Sequence, residues 1–213
     1  MHPLRLYLLL LRAYGPQGWW PAEDPFEVAV SAVLTQNANW RNAERALQNL
    51  RKAGISSPRD ILSAPRKELE ALIRPSGFFR QKASRLYALS RAILDLGGLD
   101  ALASMPLAES RRILLSIPGI GRETADSILL YALGRPVFVV DAYTRRLLDR
   151  LGIGAPRGYE PLREYFESQL PRSPRLFMEY HALIVAHGKA RCRARPRCEG
   201  CPLAPYCRFI TSR

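Results

Sequence analysis

"LLSIPGIGRETADSILLYALGRPVFVVDAYTRRLLDRLG", Leu114 to Gly152, is the stretch on which the reading of this chain turns. Apolar residues recur at helical spacing over Leu107–Leu115, and again over Thr124–Leu133. Between them lies Ile117-Pro118-Gly119-Ile120-Gly121. Two glycines separated by one residue allow a tight hairpin and expose backbone N–H groups. A second helix starting near Arg122 adds unpaired N–H groups and a partial positive charge. Together they form a seat for a phosphate that needs no side chain and therefore reads no base sequence.

The quoted stretch continues into Pro136–Val140, the only strand-like run in the chain, and ends it on Asp141. Asp141 stands where the next helix, Thr144–Leu151, should begin, and Asp is a favoured N-cap. The same position gives it a second use. Helix-terminal N–H groups keep a carboxylate ionised. If it faces a cleft, it can stabilise a cationic sugar or activate a water.

Outward from this centre, helical spacing recurs over Phe26–Leu34, Arg41–Ala53 and Lys82–Leu96, with breaks at Pro21, Pro25, Gly54 to Pro58, Pro75 to Gly77 and Gly97-Gly98. Leu6 to Arg12 reads as a buried helix, because it lacks the small-residue cleavage site of a signal peptide. No apolar run reaches the length of a membrane span. The chain is expected to be an all-α body followed by a cysteine-rich appendix from about residue 190, located in the cytoplasm. His181 and His187 lie six apart on a helix, which does not put them on one face, and they read as packing or hydrogen-bonding residues.

Charge narrows the partner. The chain has 32 Lys+Arg against 19 Asp+Glu, a net charge of +13. A field of that sign favours polyanions, nucleic acid first. Only four of the cations are lysines: Lys52, Lys67, Lys82 and Lys189.

All four cysteines, Cys192, Cys198, Cys201 and Cys207, fall within Arg191 to Cys207, spaced Cys-x5-Cys-x2-Cys-x5-Cys. Four thiolates in so short a span can surround one metal centre. Nothing indicates export, so disulfides are the weaker reading. Zinc and a [4Fe–4S] cluster both take four thiolates, and the spacing leaves both open. Arg191, Arg193, Arg195, Arg197 and Arg208 on these loops suit contact with phosphates.

The IPGIG hairpin, the VDAYTRR segment twenty residues later, and a terminal four-cysteine loop preceded by HGK resemble the helix–hairpin–helix DNA glycosylases of the endonuclease III superfamily. The similarity runs from about residue 20 to 207. It implies an all-α fold of two helical lobes: a six-helix lobe over residues 22–134 with the hairpin, and a second lobe from residues 1–21 and 135–190, with the cysteine loop at 191–213. It also implies a [4Fe–4S] cluster on the four cysteines and puts Asp141 at the family's invariant aspartate. Gly119, Gly121 and Arg122 match the DNA-gripping hairpin, and Gln36 or Asn37 matches the intercalating segment.

Two positions depart from endonuclease III. The first cysteine loop is one residue shorter than is common there. Glu123 occupies the place of the Schiff-base lysine, and a carboxylate cannot form an imine. Lys189 is the one lysine near a matching motif. Gly18 to Trp40, with its WWP turn and LTQN segment, is similar to the endonuclease III-like 3-methyladenine glycosylases, whose pockets are walled by aromatic rings. Trp19, Trp20, Trp40 and Lys189 are the corresponding pocket candidates. Indole faces attract cationic alkylated bases at about 0.5–2 kcal/mol each. The resemblance implies a monomeric, monofunctional, nucleoid-associated enzyme acting on double-stranded DNA that contains a damaged base. The alternatives are another lesion (uracil, mismatched thymine or an oxidised base), a bifunctional glycosylase/lyase, or a non-catalytic damage binder.

Overall fold

The computed structural model describes residues 1–19 and 24–211. It divides into two compact units, Ala22–Arg135 and Met1–Pro21 with Pro136–Arg213. No strand occurs among the described residues.

The first unit is built around α2 (Pro25–Leu34), whose residues from Val28 to Leu34 are all buried. Asp24 starts it, accepting the Phe26 amide at 2.8 Å, and Pro25 supplies a preset φ at the first position. Around α2 pack α3 (Trp40–Lys52), α6 (Phe79–Asp95), α9 (Arg122–Ser127) and a π-helical turn at Ile128–Ala132. In α3 the buried positions Ala43, Ala46, Leu47 and Leu50 follow helical periodicity. The same unit also contains α4 (Pro58–Ser63), α5 (Arg66–Leu72), α7 (Leu99–Ser104) and α8 (Leu107–Ser116). The expected helix at Thr124–Leu133 is thus an α-helix that widens into a π turn.

The second unit packs α1 (Pro3–Tyr14), α10 (Ala142–Leu151), α11 (Tyr159–Gln169), α12 (Pro174–Ala190) and the short α13 (Arg208–Thr211). The strand-like 136–140 run is extended but pairs with no strand. Val137, Phe138, Val139 and Val140 are all buried. Phe138 stacks on Phe166 with centroids 4.0 Å apart and meets Phe177 and Tyr180 edge-on. Its amide donates to Glu167 at 2.9 Å, which supplies the partner a neighbouring strand would have given. This anchored segment delivers Asp141 to the start of α10. The cysteine segment belongs to this same unit.

Candidate active site and nucleic-acid interface

Asp141 is the N-cap of α10. Its Oδ1 accepts the Thr144 amide at 2.8 Å and the Thr144 hydroxyl at 2.9 Å. Oδ2 lies 3.4 Å from His181 Nε2. The side chain is nearly buried. Burial pushes its acidity toward the neutral form, but His181 and the Thr144 bonds outweigh that and hold the carboxyl below its usual range. Asp141 is therefore an anion held in a low-dielectric setting.

His181, on α12, presents its ring to the edge of Trp19, with centroids 6.1 Å apart at 87°. The Lys189 ammonium stands 5.3 Å from the Trp19 ring centroid. Burial lowers the Lys189 pKa, partly offset by the negative charge of Asp141. Glu179, also on α12, takes the amides of Gln17 at 2.6 Å and Gly18 at 3.3 Å and so fixes the chain just before Trp19. The second unit thus gathers a carboxylate, an imidazole, an indole and an ammonium. The sequence marks His181 only as a packing or hydrogen-bonding residue. A histidine eight residues before the lysine of HGK, on one long helix, was the available signal. Gly188 of that motif has a local reason. A Cβ there would overlap the Tyr143 ring, which also carries the Arg146 guanidinium 4.9 Å from its centroid.

The tryptophans separate. Trp19 is in the cluster. Trp40 opens α3 of the first unit with 40% of its surface exposed. Trp20 lies outside the described residues.

The hairpin is in the first unit. Ile117 and Ile120 are buried beneath it, while Gly119, Gly121 and Arg122 are exposed. Gly119 has φ +83°, and a Cβ would run into the Arg85 side chain. Gly121 has an ordinary φ of −87° and open space around it. Only the first glycine is required by the turn itself; the second leaves the start of α9 uncovered. Asp126 braces the two hairpin helices through a buried two-point pair with Arg111, at 2.7 and 3.1 Å. Glu123 sits exposed in the first turn of α9.

Gln36 is locked onto this hairpin. Its amide donates to Gly119 O at 3.1 Å and Thr124 Oγ1 at 2.8 Å, and its oxygen accepts from Arg85 at 2.5 Å. Asn37 is exposed with φ +50°. Phe78, which sequence reading passed over, has φ +48° and is 60% exposed at the start of α6. Bulky residues held in the left-handed region are strained and tend to mark function.

None of the four cysteines is in a disulfide. All four line one small cavity with apolar neighbours that include Leu203 and Ile210. Burial raises the Cys201 thiol pKa, and the three other thiols add to it. Such mutual repulsion is what a shared cation relieves, so the donor set suits a metal centre. Among the described residues, no three such ligands form a group tight enough for a single ion. Helix α10 holds this loop. Arg146 donates to Cys192 O at 2.8 Å, and Arg150 donates to Cys192 Sγ at 3.2 Å and to the carbonyls of Arg193 and Ala194. Arg191 and Arg193 bond to carbonyls of Glu199 and Lys189, while Arg195 and Arg197 are exposed. No helix among the described residues is long and apolar enough to cross a membrane.

Residues 30–172 match the "HhH-GPD superfamily base excision DNA repair protein" family. The chain is 45% identical over 207 residues to "Putative DNA repair glycosylase MJ1434" of Methanocaldococcus jannaschii, covering 95% of this chain and 94% of that one. It is 32% identical over 191 residues to endonuclease III of Thermotoga maritima, covering 89% and 85%. The H. pylori 3-methyladenine DNA glycosylase MagIII, solved with 1,N6-ethenoadenine, superposes with a TM-score of 0.78 at 31% identity, over 89% of this chain and 98% of that one. With a glycine hairpin between two helices in one unit and a capped, ionised aspartate in the other, the chain belongs to the HhH-GPD superfamily of base excision DNA repair proteins and is a DNA glycosylase of the endonuclease III type.

Proposed function

We propose that the enzyme is a monofunctional glycosylase that releases alkylated purines such as 3-methyladenine from double-stranded DNA and leaves an abasic site. The observation that carries this reading is the ionised Asp141 carboxylate in a cluster with the Trp19 indole, while Glu123 stands where endonuclease III has its Schiff-base lysine. The resemblance to a 3-methyladenine glycosylase supports the substrate class.

Phosphates dock on the amides of the Gly119–Gly121 hairpin and on Arg122, with the basic chain steering the approach. Asn37 and Phe78 wedge into the stack while Gln36 holds the Asn37 turn to the hairpin, and the damaged nucleotide turns out of the duplex. A cationic base stacks on Trp19, beside which Lys189 stands, with Trp20 as a further candidate. The C1′–N bond breaks with its electron pair leaving on the base, which for a cationic alkylpurine departs neutral. Asp141 stabilises the cationic sugar and takes a proton from the water whose oxygen bonds to C1′. Cys192, Cys198, Cys201 and Cys207 would hold a [4Fe–4S] cluster, which would supply structural ordering of the loop. The resemblance to endonuclease III, rather than the spacing of the thiols, favours that cluster over zinc. The enzyme acts as a monomer on nucleoid DNA.

The test is a panel of duplexes, each with one lesion, incubated with purified protein. Release of alkylpurine, alkali-dependent strand breaks and no borohydride-trapped adduct are expected. Absence of release from every alkylpurine ends this reading. Turnover confined to uracil, mismatched thymine or an oxidised base moves the substrate. Selective binding of damaged duplexes without turnover makes the protein a damage binder.

A further inference from the structure

Lys82 is a wholly buried lysine of the first unit. Its ammonium donates to Leu34 O and to Ser76 O, both at 2.7 Å. Leu34 is the last residue of α2 and Ser76 ends the short 3-10 turn Arg74–Ser76. Burying an ammonium is costly, and a methionine of similar length would fill the space without that cost. What the methionine cannot do is hold two helix-end carbonyls at one point.

Both carbonyls lead within three residues into exposed positions of left-handed backbone. Three residues past Leu34 is Asn37; two past Ser76 is Phe78. These are the two non-glycine residues with positive φ among those described. Arg85, one turn further along α6 than Lys82, holds Gln36 and lies against Gly119. Helix α6 therefore bonds to the end of α2 and the turn after it through Lys82 and Arg85, and to the 76–78 turn through the Lys82 ammonium and amide, so that Lys82 reaches both turns.

We propose that Lys82 is a positioning residue for base extrusion: its ammonium fixes the two turns at one spacing, so that Asn37 and Phe78 enter the duplex together. This rests on the glycosylase reading above.

The experiment uses the full chain carrying Lys82→Met and a lesion duplex with 2-aminopurine beside the lesion, whose fluorescence rises on unstacking. The variant should unfold no more readily than the parent and bind undamaged duplex within about twofold. Its fluorescence rise and its turnover should both fall by about tenfold, the scale of losing part of an unstacking energy of a few kcal/mol. An undiminished rise, or equal weakening for damaged and undamaged duplex, overturns the proposal. No rise with the parent protein overturns the glycosylase reading and this proposal together. A second measurement covers a variant that fails to fold. Burial, reinforced by Arg85, brings the Lys82 pKa down to about 8. Of the other charges on these elements, Glu27 pairs with Arg51 and Arg74 lies over Phe79. In the parent protein, amide resonances of residues 35–38 and 76–79 should shift together through one midpoint near that value. Separate midpoints, or no shift, overturn the linkage.

Discussion

Oδ1 of Asp141 is occupied by Thr144 and Oδ2 lies beside His181, so Oδ2 is the oxygen left to act in the proposed reaction. The two roles of this aspartate can be separated. Asn caps a helix about as well as Asp. Asp141→Asn should therefore retain fold and duplex affinity while base release falls by about 10²- to 10³-fold, as for loss of one preorganised electrostatic group. Parental turnover in that variant would remove Asp141 from the chemistry. Lys82 makes a second residue-level prediction. Its folded pKa of about 8 lies below the ordinary 10.5, so between these values the unfolded chain binds more protons. Stability should rise with pH across that window, by up to about 3 kcal/mol, and Lys82→Met should abolish the rise in urea titrations.

At the scale of elements, the two hairpin glycines should behave differently. Gly119→Ala forces a side chain into a positive-φ position against Arg85 and should lower stability by about 1–3 kcal/mol. Gly121→Ala meets no atoms in the free protein, so it should leave stability within about 0.5 kcal/mol while weakening duplex binding at the uncovered start of α9. Thermal unfolding and affinity for undamaged duplex distinguish the two. Helices α4 and α5 show where periodicity is insufficient. Helix α4 is six residues long and α5 seven, too short for an apolar pattern to repeat. Yet α4 carries a Ser57–Asp60 capping box with Pro58 at its first position, so its start was legible from capping chemistry rather than from hydrophobicity.

For the whole molecule, the excess of positive charge makes DNA affinity an ionic-strength measurement. With about four phosphates neutralised, affinity for undamaged duplex should fall about a hundredfold between 50 and 200 mM salt, and a flat dependence would contradict phosphate docking. The cysteine loop bonds to α10 through Arg146 and Arg150, the helix that Asp141 caps. Cys198→Ser should therefore lose the brown visible absorbance of an iron–sulfur cluster and lower the unfolding temperature. A colourless parent protein carrying one zinc per chain would refute the cluster.

The sequence alone marked the all-α class, the hairpin, the aspartate and the four-thiol loop, because each is a local pattern: a turn, a cap, a spacing. It misread Pro136–Val140 as strand-like, since a run buried on all sides has the composition of a strand whether or not one pairs with it. The tertiary structure decided what sequence separation hides. His181 reaches Asp141 across forty positions, Phe78 and Asn37 are both held in left-handed backbone, and Lys82 joins two turns through carbonyls that carry no side-chain signature. Those relations depend on which backbone atoms packing brings within hydrogen-bond reach, and one-dimensional periodicity contains no term for that.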